Sequence, residues 1–115
     1  MAKSQAAGVV MLSSPLFAYN PQTLADLALQ NRLPAISMFP DFAQRGGLIA
    51  YGPELESLYT QAGIMTRKML QGAPAADLPI ERPTRFKLVA NQKTGNVMGL
   101  TLPTSILLSA DEVIE

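Results

Sequence analysis

Two short apolar segments, separated by proline and glycine, constrain the fold more than any other part of this 115-residue chain. They occupy residues 35–39 and 48–51, with Pro40 and the pair Gly46-Gly47 between them. Apolar runs of this length bounded by proline and glycine are typical of buried strands. In open α/β sheets ligands bind beside the carboxyl ends of the strands, so this stretch is also where we expect a site.

The preceding residues predict a strand, a crossover helix and a parallel neighbouring strand. Residues 8–12 form a β-branched apolar run, which indicates a first buried strand. Asn20 and Pro21 have the pattern of an N-cap followed by proline at the first helical position. The helix should end near Asn31, because Pro34 lies just beyond it. A crossover of about 11 residues joins parallel strands with right-handed topology.

The rest of the chain continues this alternation of helices and strands. Pro53 and Glu54 open the longest predicted helix, and Gly72 is its expected C-cap. We assign Met65 and Met69 on its apolar face to the core. The other predicted elements are a loop carrying Phe17 and Tyr19, a helical turn at 41–45, a turn at Gly52-Pro53, an extended proline-rich connector at 73–83, a fourth strand at 85–91, a short helix at 92–98 capped by Gly99 and a last helical turn N-capped by Thr104.

Composition narrows the classes of function. Nine lysines and arginines balance nine acidic residues, and this neutral chain without a basic cluster argues against nucleic acid as a partner. The chain has no cysteine and no histidine, which removes thiolate chemistry, the usual general base and the usual metal ligand. We therefore expect no catalytic residues, no metal and no cofactor. The segment beginning at Met1 lacks the pattern of a signal peptide.

One set of side chains is predicted to gather at a single edge of the sheet. In a parallel sheet these residues follow adjacent strands at their carboxyl ends, and they combine hydroxyls, a carboxylate and aromatic rings. A small polar ligand with an apolar part requires such groups. The predicted ligand-binding set is Ser13, Ser14, Phe17, Phe39, Asp41 and Tyr51. The alternative is that the rings of Phe39 and Tyr51 only close the rim of the core.

Several strings in the sequence carry a family resemblance. In chain order they are SSPLF, NRLPAI, DFAQRGGLIAYGPELESLY and GAPAADLPIERPTRFKLVANQKTGNVMGLTLPTSILLSADEVIE. Together they resemble the carboxyl-terminal part of ABC-transporter substrate-binding proteins with the type I periplasmic-binding fold. The resemblance runs from about residue 7 to residue 115. It implies an α/β fold class, a partial lobe of that type built from βαβ units with a mostly parallel sheet.

The resemblance also implies a function. Such proteins have two α/β lobes with a small ligand in the cleft between them, and aromatic amino acids and related compounds are ligands in some members. They deliver the ligand to a membrane ABC permease, and they are periplasmic or anchored outside the cytoplasm. Residues 1–115 would then be a single α/β unit equivalent to the carboxyl-terminal portion of a two-lobed protein, without its first lobe and signal, either as a separate domain or as a truncated reading frame.

The sequence is compatible with three classes of function. The leading one is a non-enzymatic fragment of a solute-binding protein. The second is a small α/β module that oligomerises without a ligand. The third is an α/β enzyme of unknown reaction, although no glycine-rich phosphate loop follows the first strand. For the leading class we expect a homodimer, because strand one would lack its preceding neighbours and open edges recruit other chains.

Overall fold

A computed structural model describes residues 6–115 of the chain. The helices and strands in chain order are β1 (Val9–Met11), α1 (Pro15–Tyr19), α2 (Pro21–Gln30), β2 (Ala35–Ser37), α3 (Pro40–Gln44), β3 (Ile49–Pro53), α4 (Leu55–Leu70), β4 (Phe86–Asn91), α5 (Gln92–Met98), α6 (Thr104–Ser109) and β5 (Glu112–Ile114). The chain divides into two compact units, one of them Pro53–Phe86 and the other formed by the segments on either side of it. The predicted α/β class is confirmed.

The five strands of the described residues form one sheet in the order β1-β2-β3-β4-β5. Strand β1 runs parallel to β2, with Val9 opposite Ala35, which confirms the predicted parallel pairing. Strands β2 and β3 are parallel, as are β4 and β5. The amide of Asn91, at the end of β4, donates a 2.9 Å hydrogen bond to the carbonyl of Leu48, just before β3. Strands β3 and β4 are therefore antiparallel, and the sheet is mostly parallel.

Both faces of the sheet in the first unit are covered. Val89 and Ala90 are adjacent in β4 and so point to opposite faces, yet neither side chain is exposed. Val89 packs in a cluster with Ala43 of α3, whereas Ala90 packs with Leu102 before α6. Burial on both faces explains why the consecutive residues Leu88, Val89 and Ala90 of this strand are all apolar.

Helices α2 and α3 cover the β1-β2 end of the sheet. Their buried cluster contains Met11, Ala25, Ala28, Ala35 and Phe42. Small alanines on helix and strand let the backbones approach closely, and the ring of Phe42 fills the remaining space. Met11 and Ser37, the last residues of β1 and β2, lie opposite each other in the sheet.

The second unit, Pro53–Phe86, consists of α4, a 3₁₀ turn at Ala75–Asp77 and extended segments. In this unit the amide of Glu54 donates a 3.0 Å hydrogen bond to the carbonyl of Arg85, and the side chains of the two residues form an ion pair at 3.5 Å. Helix α4 contains no buried residue. The assignment of Met65 and Met69 to the core is therefore wrong, and Met69 is 43% exposed. A single helix without a covering layer cannot bury its apolar face.

Three local predictions are also wrong, and one strand lacks a prediction. Phe17 and Tyr19 lie in helix α1 rather than in a loop, because Pro15 starts a helix immediately after the extended Ser14. Strand β3 continues through Gly52 and Pro53, where a turn was predicted. Helix α6 has Pro103, not Thr104, at its N-cap. Strand β5 was not predicted at all. The assignment of residues 1–115 to a single unit with a connector at 73–83 stays a prediction.

Candidate functional site

The carboxyl ends of β1, β2 and β3 lie side by side, because the three strands are parallel neighbours. A cavity of about 200 Å³ opens there. Its lining comes from the ends of β1 and β2 and from the middle of β3: Val10, Met11, Leu12, Ser13, Ile36, Ser37, Met38 and Tyr51. This is the edge at which α/β sheets bind ligands, and we treat this cavity as the candidate site.

Strand alternation positions Tyr51. Ala50 and Gly52 on either side of it are buried, whereas Tyr51 is 52% exposed. A β-carbon added at Gly52 would overlap the carbonyl of Met38. Only glycine allows β3 to lie this close to the end of β2. The close approach at Gly52 therefore keeps Tyr51 beside the residues that follow β2.

Two serines contribute hydroxyls to the cavity. Ser13 comes two residues after the end of β1 and is exposed. Ser37 is the last residue of β2 and is only 4% exposed. The amide of Phe39 donates a 3.2 Å hydrogen bond to the hydroxyl oxygen of Ser37. That bond orients the Ser37 side chain at the end of its strand.

The side chains that line the candidate site are uncharged. None of the eight residues around the cavity is acidic or basic. Six of them, from Val10 to Tyr51, present aliphatic, thioether or aromatic surface, and the two serines add hydroxyls. Such a lining binds an uncharged, mostly apolar group and orients it through one or two hydrogen bonds.

The structure brings Ser13 and Tyr51 of the predicted set together in this cavity. It places the other members outside this cavity. Ser14 occupies the N-cap position of α1, where its carbonyl accepts from the amide of Phe17 at 3.1 Å. Phe39 is half-buried at the N-cap of α3.

Phe17 and Asp41 line two separate cavities. Phe17 packs against the cluster that contains Met11 and lines an apolar cavity of about 340 Å³ beside β1 and α2. Asp41 is exposed in the first turn of α3 and lines a polar cavity with Tyr19 and Arg45. Their predicted ligand contacts stay predictions.

Sequence reasoning missed Ser37 as a candidate. The residue lies inside the mostly apolar run 35–39, which predicts a buried strand whose side chains pack in the core. A polar residue at the end of such a run was the available signal, because the last residue of a strand reaches the ligand-binding edge of the sheet.

A larger cavity of about 440 Å³ differs in character from the candidate site. It lies within the second unit and is lined by Glu54, Ser57 and Gln61 among others. Each of these three makes a side-chain hydrogen bond within the unit, Ser57 to Glu54 and Gln61 to Glu81. Polar groups that are already paired gain less from a ligand.

Two negative findings apply to residues 6–115. No group of three or more histidine, cysteine, aspartate or glutamate side chains is arranged to hold a metal ion. None of the helices there is long and apolar enough to cross a membrane.

A family model described as ABC transporter substrate binding protein matches residues 1–114. No curated protein matches the chain in sequence. Solved structures with a similar fold include a conserved domain protein from Vibrio cholerae O1 biovar El Tor, with a TM-score of 0.87, 18% identity and coverage of 95% of this chain and 37% of that one. An ABC domain from Streptococcus pneumoniae in complex with L-Trp has a TM-score of 0.83 and 25% identity, over 96% of this chain and 38% of that one.

A third similar structure is the ligand-free, open form of a substrate binding protein with adhesive properties from Clostridium difficile. Its TM-score is 0.59 and its identity 20%, over 93% of this chain and 36% of that one. The chain thus spans between 36% and 38% of the length of these three structures. The structural neighbours agree with the predicted periplasmic-binding-protein-like fold.

Proposed function

The chain belongs to the family of ABC transporter substrate-binding proteins, and from this premise we propose that it supplies one wall of a cleft that binds a small molecule. The observation that carries the proposal is the uncharged cavity at the carboxyl ends of β1, β2 and β3, lined by Ser13 and Tyr51. Its volume of about 200 Å³ is below the range of about 300–1,000 Å³ that encloses a whole drug-sized ligand. A second wall therefore completes the cleft.

The ligand we propose is an aromatic amino acid or a related compound. The half-exposed ring of Tyr51 offers a face on which an aromatic group stacks. Met11, Leu12 and Met38 offer apolar and polarizable contacts around it. The ABC domain from Streptococcus pneumoniae, 25% identical to this chain, holds L-Trp. In this proposal Ser14, Phe17, Phe39 and Asp41, which lie outside this cavity, contact another part of the ligand or the opposite wall.

The role we propose is transport rather than catalysis. The bound molecule passes to an ABC permease, and the protein works outside the cytoplasm, as the family's role in transport requires. Neither step needs a nucleophile or a general base, and the candidate site contains no ionisable side chain except the phenol of Tyr51.

The proposal is tested by titrating the isotope-labelled 115-residue chain with L-tryptophan and following backbone amide resonances. We expect shifts concentrated at residues 10–13, 36–38 and 51, which line the cavity. The chain contains no tryptophan, so the indole fluorescence of the ligand provides an independent reading of binding.

Tyr51→Ala should weaken this binding about tenfold, because it removes both the aromatic contact and apolar area. Tyr59→Ala is the matched control, since Tyr59 is 75% exposed on α4, in the other unit. No perturbation at millimolar L-tryptophan, or equal effects of the two variants, would overturn the proposed function.

A further inference from the structure

The hydroxyl of Ser37 is buried, held in place and directed to the candidate site. Its oxygen accepts the 3.2 Å hydrogen bond from the amide of Phe39, and the residue is 4% exposed while lining the cavity. A serine hydroxyl has one donor hydrogen and two acceptor lone pairs. The Phe39 amide occupies one lone pair. The second lone pair of the Ser37 oxygen therefore remains to accept a hydrogen bond from a ligand.

The surroundings of Ser37 decide which part of a ligand enters. An ammonium or carboxylate group buried without an opposite charge is unfavourable, and the cavity lining contains no acidic or basic side chain. Ile36, Met38 and Tyr51 instead favour a flat apolar group. The charged head of an amino acid is thus excluded from this wall, whereas its aromatic ring fits.

We propose that this cavity receives the aromatic end of the ligand and that Ser37 is a specificity-determining residue that hydrogen-bonds a polar ring hydrogen. The chemical class is an aromatic compound whose ring carries N–H or O–H, such as an indole or a phenol. A phenyl ring of the same kind has no polar hydrogen to donate to the second lone pair of the Ser37 oxygen. The inference rests on the proposed function and deepens it, because it assigns an orientation and a discriminating group within the same site.

The test compares dissociation constants of L-tryptophan, L-tyrosine and L-phenylalanine for the 115-residue chain and its variants, from amide shift titrations. The wild-type chain should bind L-tryptophan or L-tyrosine about threefold to tenfold more tightly than L-phenylalanine, the net value of one hydrogen bond. In Ser37→Ala this preference should fall to about one, with binding of L-phenylalanine nearly unchanged. Ser37→Thr, which retains the hydroxyl, should restore the preference. Ser105→Ala, an exposed change on α6, is the control.

The ratio of dissociation constants is informative even where a variant is less stable, because partial unfolding weakens the apparent binding of all three ligands by the same factor. A preference that persists in Ser37→Ala, or a wild-type chain that does not prefer either polar ring, would overturn the role of Ser37 and leave the proposed function standing. A wild-type chain that binds none of the three would overturn the proposed function itself, and this inference with it.

Discussion

The side-chain amide of Asn91 donates a 2.9 Å hydrogen bond to the carbonyl of Ala43, 48 residues earlier in the chain. Its side-chain oxygen accepts a 2.8 Å bond from the amide of Thr94 and so caps helix α5. Asn91 is buried, and Ala43 is fully buried. One side chain thus ties the end of β4 to helix α3, which precedes the strand that carries Tyr51.

Replacing Asn91 by alanine should lower the free energy of unfolding by about 2 kcal/mol or more. The change leaves the buried carbonyl of Ala43 and the amide of Thr94 without partners, and each buried unsatisfied group costs about 1–3 kcal/mol. Urea denaturation followed by circular dichroism measures the effect. The control is Asn96→Ala on the exposed side of α5, expected to change stability by less than about 0.5 kcal/mol. Equal effects of the two variants would contradict the structural role of Asn91.

Two glycines should respond to alanine with opposite signs. A β-carbon at Gly47 would overlap the ring of Phe42, which is 1% exposed and cannot move aside. We expect Gly47→Ala to destabilise the chain by about 1–3 kcal/mol through overpacking. At Gly63 on α4 an added β-carbon would meet nothing within 4 Å. Gly63→Ala should raise helix stability by about 0.5–1 kcal/mol. Thermal and urea unfolding of both variants test this, and a neutral Gly47→Ala would show that the ring of Phe42 has room to shift.

Glu112 should make the folded state sensitive to acid. A hydrogen bond from Lys87, at 3.0 Å, holds the pKa of Glu112 below its ordinary value of 4.5. Partial burial raises this pKa, and a further hydrogen bond from Gln44 lowers it. Because the folded-state pKa is the lower one, this stabilisation is present above pH 4.5 and is lost as pH falls through the folded-state pKa. The partly exposed pair contributes less than about 1 kcal/mol.

Lys87→Met should therefore reduce the loss of stability between about pH 7 and about pH 3, and raise the pKa of Glu112 toward its ordinary value. The carbonyl and carboxyl resonances of Glu112 followed against pH report the pKa directly. Lys93→Met, at an exposed position of α5, should leave that titration unchanged. A Glu112 titration that does not respond to loss of Lys87 would show that the ion pair is absent in solution.

Self-association is expected through the open edge of β1. This strand lies at one end of the sheet order, and the neighbouring side chains Val10 and Leu12 are 71% and 74% exposed. Unpaired strand edges with exposed apolar residues recruit other chains, and a second copy is the partner we propose. Light scattering at tens of micromolar should give about twice the 12.3 kDa mass of one chain.

A charge on that edge should separate the two copies. Val10→Lys places a cation at the outer strand β1, a known obstacle to edge pairing, and should shift the mass toward that of a monomer. Val97→Lys, at a 67% exposed position of α5, is the control. A wild-type chain that is monomeric over this concentration range would contradict the homodimer.

Local sequence signals were sufficient for most elements of the first unit. Pro21 and the apolar spacing that follows it determine helix α2, and proline beyond its end determines where it stops. Gly99 has a φ of +72°, a conformation that glycine adopts without strain, and it ends α5 as predicted. The helix-length crossover between β1 and β2 determines their parallel pairing. These features depend on residues close in sequence, so the sequence alone decided them.

Tertiary structure decided the features that depend on distant partners. Strand β5 has three residues, Glu112–Ile114, and becomes a strand only because β4 lies beside it. Met69 has the helical spacing of a core residue but no element of its own unit to cover it. The candidate site follows the same rule. Strand order and the close approach at Gly52 bring Ser13, Ser37 and Tyr51 to one cavity and Phe17 to another, because side-chain neighbours across a sheet are set by pairing register rather than by spacing along the chain.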